Sequence, residues 1–137
     1  MSNRKREIFH LLFQRTREVS KGMNEVLQDH ELYMAQWSIL FFLHTYGETS
    51  QSEISSYLNV EAPTVTRTLV RMEKSGWIAR KEGKDKRERI VYLTEEAKEK
   101  FPHVANDVQK IEKQWFAHFS AEEKEQLYQL LMKLENN

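Results

Sequence analysis

The 137-residue sequence contains no cysteine. Disulfides, thiolate nucleophiles, thiol-based redox sensing and cysteine-ligated zinc are therefore excluded together. Only four glycines and two prolines are present, so the chain has few breaks and long helices are expected. Net charge is also absent, with 21 Lys and Arg against 21 Asp and Glu. A charged partner can then be inferred only from how charge is distributed along the chain. Long apolar runs are missing as well: WSILFFLHTY falls short of the ~20 residues that span a bilayer. The opening MSNRKREIFHLLF starts basic, but its apolar part is too short and too soon interrupted for a signal peptide. A cytoplasmic chain without membrane contact is expected, with one domain or one domain plus an appended helical part.

The charge that is present is unevenly placed. Residues 1–60 carry six basic and seven acidic groups, residues 61–93 nine and five, and residues 94–137 six and nine. Within the middle region, RKEGKDKRER at 80–89 puts six basic and three acidic side chains around one glycine. An internal basic segment suits a basic surface on a folded body and argues against a disordered basic arm.

Periodicity supplies the elements. Ile8, Leu11, Leu12, Val19, Met23 and Leu27 recur near helical period and predict a first helix over about residues 4–29. A second, Met34 to Tyr46, is apolar on nearly every face and so should be enclosed, with Gly47 closing it. Ser50 and Glu53 form a capping box that opens a short third helix, with Ile54 and Leu58 inward. Asn59 suits a turn, and Pro63 suits the first turn of a fourth helix, where its missing N–H costs little. Val65, Leu69 and Met72 make a buried stripe on that helix, and Gly76 can end it in the left-handed conformation. WIARK and RIVYL then read as two short strands of a hairpin around EGKDKRE.

The rest reads as helical. Thr94 caps a helix with Glu95 and Glu96 in its first turn, where the dipole favours negative charge. Ala97, Phe101, Val104, Val108, Ile111 and Trp115 follow at alternating spacings of four and three, the seam of a helix packed along another. Pro102 lies inside this run and should kink or split it. Ser120 with Glu123 forms a second capping box, opening a last helix with Leu127, Leu130, Leu131 and Leu134 on one face. The expected fold class is mostly α with a small β-hairpin wing: a winged helix-turn-helix plus a helical part.

Chemistry concentrates in the middle. With Val65, Leu69 and Met72 inward at about 100° per residue, the opposite face of the fourth helix carries Arg67, Arg71 and Lys74, flanked by Thr64. Guanidinium groups can pair bidentately with guanine, and hydroxyls can reach phosphate or base edges. A merely solvated charged face is the alternative for the helix alone. The adjacent hairpin shifts the balance, because Lys84, Lys86, Arg87 and Arg89 at a glycine-containing tip suit a narrow minor groove. Asp85 is placed to pair with Arg87 or Arg89 and so orient the wing, since an exposed pair adds only ~0–1 kcal/mol.

The run SQSEISSYLNVEAPTVTRTLVRMEKSGWIARKEGKDKRERIVYLTEEAKEKF closely resembles the MarR family of winged-helix transcription regulators. The most specific parts are Asp85-Lys86-Arg87, Tyr92-Leu93-Thr94 and the pattern from Thr64 through Ile78, and the flanking helices fit along almost the whole chain. The family often has Gly where this chain has Ala97, a change that favours helix continuation. The resemblance implies a homodimer, with residues 1–33 and 94–137 forming the dimerisation part around a DNA-binding domain at 34–93. It implies double-stranded DNA with a pseudo-palindromic operator as partner, and most often a repressor role. By position, Pro63, Thr64, Thr66 and Arg67 resemble the base-reading start of the recognition helix. Ser50, Gln51 and Ser52 resemble phosphate contacts, and Arg87 resembles the wing arginine with Asp85 as its holder. For the helical seams, packing within one chain is the alternative to a dimer.

Many members of that family respond to small aromatic or anionic molecules. Tyr33, Trp37, Phe41 and His44 are placed to line such a pocket, or else simply fill the core. No cofactor is expected. His103 and Asp107, four apart on one helical face, form a workable but incomplete pair of metal ligands, and a third, such as His44, would have to come from elsewhere. His10, His30 and His118 have no evident partner. No nucleophile–base pair, phosphate-cradling glycine loop or paired-carboxylate motif indicates an enzyme. The rival to DNA reading is a winged-helix protein–protein interaction module that presents its basic face to an acidic partner.

Overall fold

A computed structural model describes residues 3–135. The elements are α1 (Arg4–Leu27), a 3-10 turn (Gln28–His30), α2 (Met34–Tyr46), β1 (Thr49–Ser50), α3 (Gln51–Leu58), α4 (Ala62–Lys74), β2 (Ile78–Glu82), β3 (Arg89–Leu93), α5 (Glu95–Trp115) and α6 (Ala121–Lys133). The helix order and the hairpin agree with the expectation from periodicity. One strand was not expected. Thr49–Ser50 pairs antiparallel with β3, giving a three-stranded sheet in the order β1-β3-β2. Two residues are too few to carry a period-2 signal.

The caps explain most element boundaries. Ser50, Thr94 and Ser120 each accept a hydrogen bond from the backbone N–H three residues on, so one otherwise unpaired donor per helix start is satisfied. Ser120 and Glu123 complete a reciprocal capping box. Ser50 and Glu53 form only half of one, because the Glu53 carboxylate instead accepts from the Thr49 hydroxyl. That bond ties the short strand to the first turn of α3. Asn59 at φ 55 and Gly76 at φ 85 take the left-handed conformation at the ends of α3 and α4.

Burial follows the stripes. Ile39, Leu40 and Leu43 of α2, Ile54 of α3, Val65, Leu69 and Met72 of α4, and Ile78 and Val91 of the sheet form one core. α2 is enclosed on one side only: Trp37, Ile39, Leu40 and Leu43 are buried, whereas Ala35, Phe41, His44 and Tyr46 are exposed, so its all-round apolar character is not matched by all-round cover. The α5 seam packs within this chain, against α1 and the core: Ala97, Phe101, Val104 and Val108 are buried, with Ile111 and Trp115 against them. The two helices meet closely, and a Cβ at Gly22 would lie 2.6 Å from the Trp115 ring. α5 also runs through Pro102 as one helix, so of the expected kink or split the split does not occur. Burial of Phe101, Val104 and Val108 on both sides of the proline holds the helix. Pro102 and Lys98 are exposed, so the Lys98 carbonyl that lacks a donor can turn to water.

α6 is different. Leu127 is half-buried, whereas Leu130, Leu131 and Leu134 are exposed, as are Ile8, Phe9, Leu11 and Phe13 on the first half of α1.

Candidate nucleic-acid interface

The α3–α4 turn and the β2–β3 wing form one face. On α4, the buried Val65, Leu69 and Met72 turn Thr64, Arg67, Arg71 and Lys74 outward, and all four are exposed, as is Pro63 in the first turn. Arg67 donates to the Thr64 hydroxyl at 3.2 Å, which folds the guanidinium toward the helix start. Thr66 donates to the Ala62 carbonyl and accepts from the Gln51 side-chain amide at 2.6 Å. This bond from α3 to α4 fixes the relative position of two polar side chains at the helix starts. The period-based reading missed it because it is a tertiary contact.

A cavity of about 240 Å³ lies between the start of α3 and the wing, lined by Ser50, Gln51, Ser52, Ala62, Arg87, Glu88 and Arg89. It brings together residues 35 or more positions apart in sequence. The Ser50 and Ser52 hydroxyls lie 3.2 Å apart there. Short O and N donors at a helix start, facing two guanidinium-bearing residues, are suited to an anionic oxygen.

The wing is shaped by its backbone. Gly83 N–H donates to the Glu88 carbonyl, Glu88 N–H to the Asp85 carbonyl, and Arg87 N–H to the Asp85 carboxylate at 3.1 Å. Asp85 thus holds the turn through the Arg87 main chain and not through a guanidinium, as expected from charge pairing. The carboxylate accepts a backbone donor two residues on, the local geometry Asp prefers in turns. Both arginine side chains are left outward. Lys84, Lys86, Arg87 and Arg89 are exposed, and none of them makes an ion pair among the described residues.

Two of the six basic residues in 80–89 are used differently. Arg80 pairs with Glu73 of α4 at 3.1 Å, and Lys81 pairs with Glu48 ahead of β1 at 2.7 Å. The Glu48 hydrogen bond raises the Lys81 pKa above its ordinary value, against an opposing desolvation effect. These pairs tie the wing to the helices beside it.

A second hollow, of about 470 Å³, lies between α1, α2, α3 and α5. Trp37, Phe41, His44 and Tyr57 line one side and Phe101, Gln109 and Glu112 the other. Phe101 is central, with Trp37 stacked at 5.3 Å and His44 at 4.0 Å between ring centroids. Trp37 therefore serves core and hollow at once. Tyr33 is exposed at the start of α2 and does not line the hollow. Partial desolvation raises the Glu112 pKa above the ordinary carboxylate value even though the residue is exposed overall.

His103 and Asp107 do not act as a pair. Asp107 instead meets His30 Nε2 at 2.8 Å across from the 3-10 turn, and the described residues contain no cluster suited to a metal ion. The His30 hydrogen bond holds the Asp107 pKa below its ordinary value, against a weaker desolvation effect. His30, without an evident partner in sequence, thus has one through tertiary packing. No helix among the described residues is long and apolar enough to cross a membrane.

Two short helices joined by a turn, the second basic on its open face and flanked by a basic β2–β3 wing, define a winged helix-turn-helix protein of the DNA-binding type. A sequence model of the MarR family matches residues 32–88. The chain is 46% identical over 125 residues to the uncharacterized HTH-type transcriptional regulator YwoH of Bacillus subtilis (strain 168), covering 91% of each. In structure it is similar to a mutant MarR from E. coli complexed with operator DNA, with TM-score 0.86 and 24% identity over 98% of this chain and 97% of that one. It is likewise similar to a MarR transcriptional regulator from Methanosarcina mazei Go1, with TM-score 0.84 and 21% identity over 96% of each chain. These two likenesses are of fold. The chain belongs to the MarR family of transcription regulators, whose members are DNA-binding proteins and not enzymes.

Proposed function

We propose that the protein is a cytoplasmic homodimer that represses transcription by binding a pseudo-palindromic operator and is released from it by a small ligand. Residues 34–93 bind DNA, and residues 1–33 and 94–137 join the two copies. The observation that carries this reading is the single basic face on which the outer side of α4, the start of α3 and the wing converge.

In this reading Thr64, Thr66 and Arg67, with Pro63 setting the first turn, meet base edges in the major groove. Arg71 and Lys74 follow the backbone. Ser50, Gln51 and Ser52 bind a phosphate at the start of α3, where the helix dipole and free N–H groups favour an anion. Arg87, with Lys84, Lys86 and Arg89, enters the neighbouring minor groove, and Asp85 keeps the wing turn in shape. The exposed apolar residues of α6 and of the first half of α1 supply the dimer contact, because such faces are seldom left to water. A ligand in the hollow would touch Tyr57 of α3 as well as α2 and α5. It would thus reach the helix pair that meets DNA.

The test is a comparison of two variants on operator and on random duplex across a salt series. Arg67→Ala is expected to weaken operator binding by about 1–3 kcal/mol and to affect random DNA little. Arg87→Ala is expected to weaken both alike and to lower the salt slope by about one. Equal losses on both duplexes for both variants would refute this division of roles.

A further inference from the structure

We infer that the hollow between α1, α2 and α5 takes an aromatic cation, an amine or ammonium group carried on a ring system, and disfavours an aromatic anion. The inference rests on the reading of this hollow as the ligand site and deepens it by naming the ligand's charge.

The walls provide aromatic surface. Phe41 is exposed beside Trp37 with ring centroids 6.3 Å apart, and the stacked Trp37, Phe101 and His44 form the floor. Exposed aromatic rings attract cations and repel anions through their faces, and the exposed rings of this hollow are Phe41 and Tyr57, since Trp37 and Phe101 are buried in their own stack. Formal charge in the hollow has one sign. Glu112 is the one carboxylate among the described residues lining it, and neither Lys nor Arg lines it. The remaining polar groups, on Ser38, Tyr57, Gln109 and His44, supply no fixed positive charge to receive a carboxylate.

Glu112 also has no ion-pair or hydrogen-bond partner for its carboxylate among the described residues. Desolvation alone shifts its carboxyl, with no nearby cation acting against it. A partly desolvated carboxylate beside aromatic carbon is unfavourable until a cation approaches, and a ligand ammonium would supply that charge. An anionic ligand would meet both the carboxylate and the ring faces with the wrong sign. The hollow, about 470 Å³, has room for a two-ring body.

Three probes share one aromatic body and differ in charge: 1-naphthylmethylammonium, 1-naphthylmethanol and 1-naphthoate. Each is titrated calorimetrically into the full-length protein without DNA. The ammonium is expected to bind about tenfold or more tighter than the alcohol, with the naphthoate weakest. In Glu112→Gln the ratio of ammonium to alcohol affinity is expected to fall to about one, and Glu112→Lys is expected to place the naphthoate ahead of the ammonium. The inference is overturned if naphthoate binds the unaltered protein as tightly as the ammonium. It is also overturned if the ammonium preference survives in Glu112→Gln, or if none of the three binds. Operator binding is measured on the same preparation. Protein that holds operator but ranks the anion first refutes only the cation inference. Protein that ranks the cation first but ignores operator refutes only the regulatory reading.

Discussion

α4 and α6 are both 13 residues long and both amphipathic, yet the chain treats them in opposite ways. On α4 the apolar stripe is covered completely, with Leu69 and Met72 at 0% exposure, and the polar face is left open, with Arg67, Arg71 and Lys74 in no ion pair among the described residues. On α6 the apolar stripe itself is open, with Leu130 at 62%, Leu131 at 48% and Leu134 at 50% exposure. Hydrophobic period alone therefore does not say where a face will be buried. It says that the face needs covering, and the rest of the chain decides whether the cover is internal. For α4 the cover is α2, α3 and the sheet, so this region holds its shape unaided and can present a rigid basic surface. For α6 the same chain supplies little cover.

The largest expected effect tests the completed side. Leu69→Ala should cost about 2–5 kcal/mol in urea denaturation, because a fully buried leucine leaves a cavity as well as lost transfer energy. A loss under about 1 kcal/mol would mean that the core around α4 is not closed. Leu131→Asp, on the open side, should leave far-ultraviolet dichroism intact while shifting the protein toward monomer. The removed leucine contributes about 1.5–3 kcal/mol if it is buried between two copies. Sedimentation velocity at several concentrations reads this, and an unchanged species distribution would deny α6 a part in the interface.

Ser120→Ala should cost about 1 kcal/mol through loss of the capping box. A 13-residue helix with little internal cover depends on its cap more than a packed one does. Amide exchange should therefore quicken in α6 more than in α4, and equal quickening would remove the contrast. The smallest effect concerns Asp107. Its carboxyl is held below its ordinary value by the hydrogen bond from His30, so the charged form is favoured in the folded state. A carboxylate shifted down stabilises the fold above its ordinary titration range, and that contribution disappears as pH falls through its folded value. The stability gap between the protein and Asp107→Asn should accordingly be present at neutral pH and close in acid. A gap independent of pH would show that packing, not charge, accounts for it.

How much of this was legible in the sequence depends on the range of the interaction. Helix ends were legible because caps act over three residues: Thr94 with the Ala97 N–H, and Ser120 with Glu123. The buried stripe of α4 and the exposure of Arg67, Arg71 and Lys74 followed from period 3.6. Contacts between distant segments were not legible. Asp107 turned to His30, and Lys81 to Glu48. Each of these needs the tertiary fold to bring its partner near. The α5 seam shows the same limit, since a heptad pattern looks alike whether the opposing helix belongs to the same chain or to another. Here it is α1 of the same chain. Pro102 does not split α5 for a related reason: its local helix penalty is offset by burial of Phe101, Val104 and Val108 on both sides.

The most direct test is a titration of the purified protein onto duplex DNA from upstream of its own gene, with random duplex as competitor and salt varied. The account predicts saturable binding of one dimer per site that survives competitor, with affinity falling steeply as salt rises. Weak binding that is equal on both duplexes and vanishes at modest salt would contradict it, and the basic face would then belong to contact with an acidic protein partner.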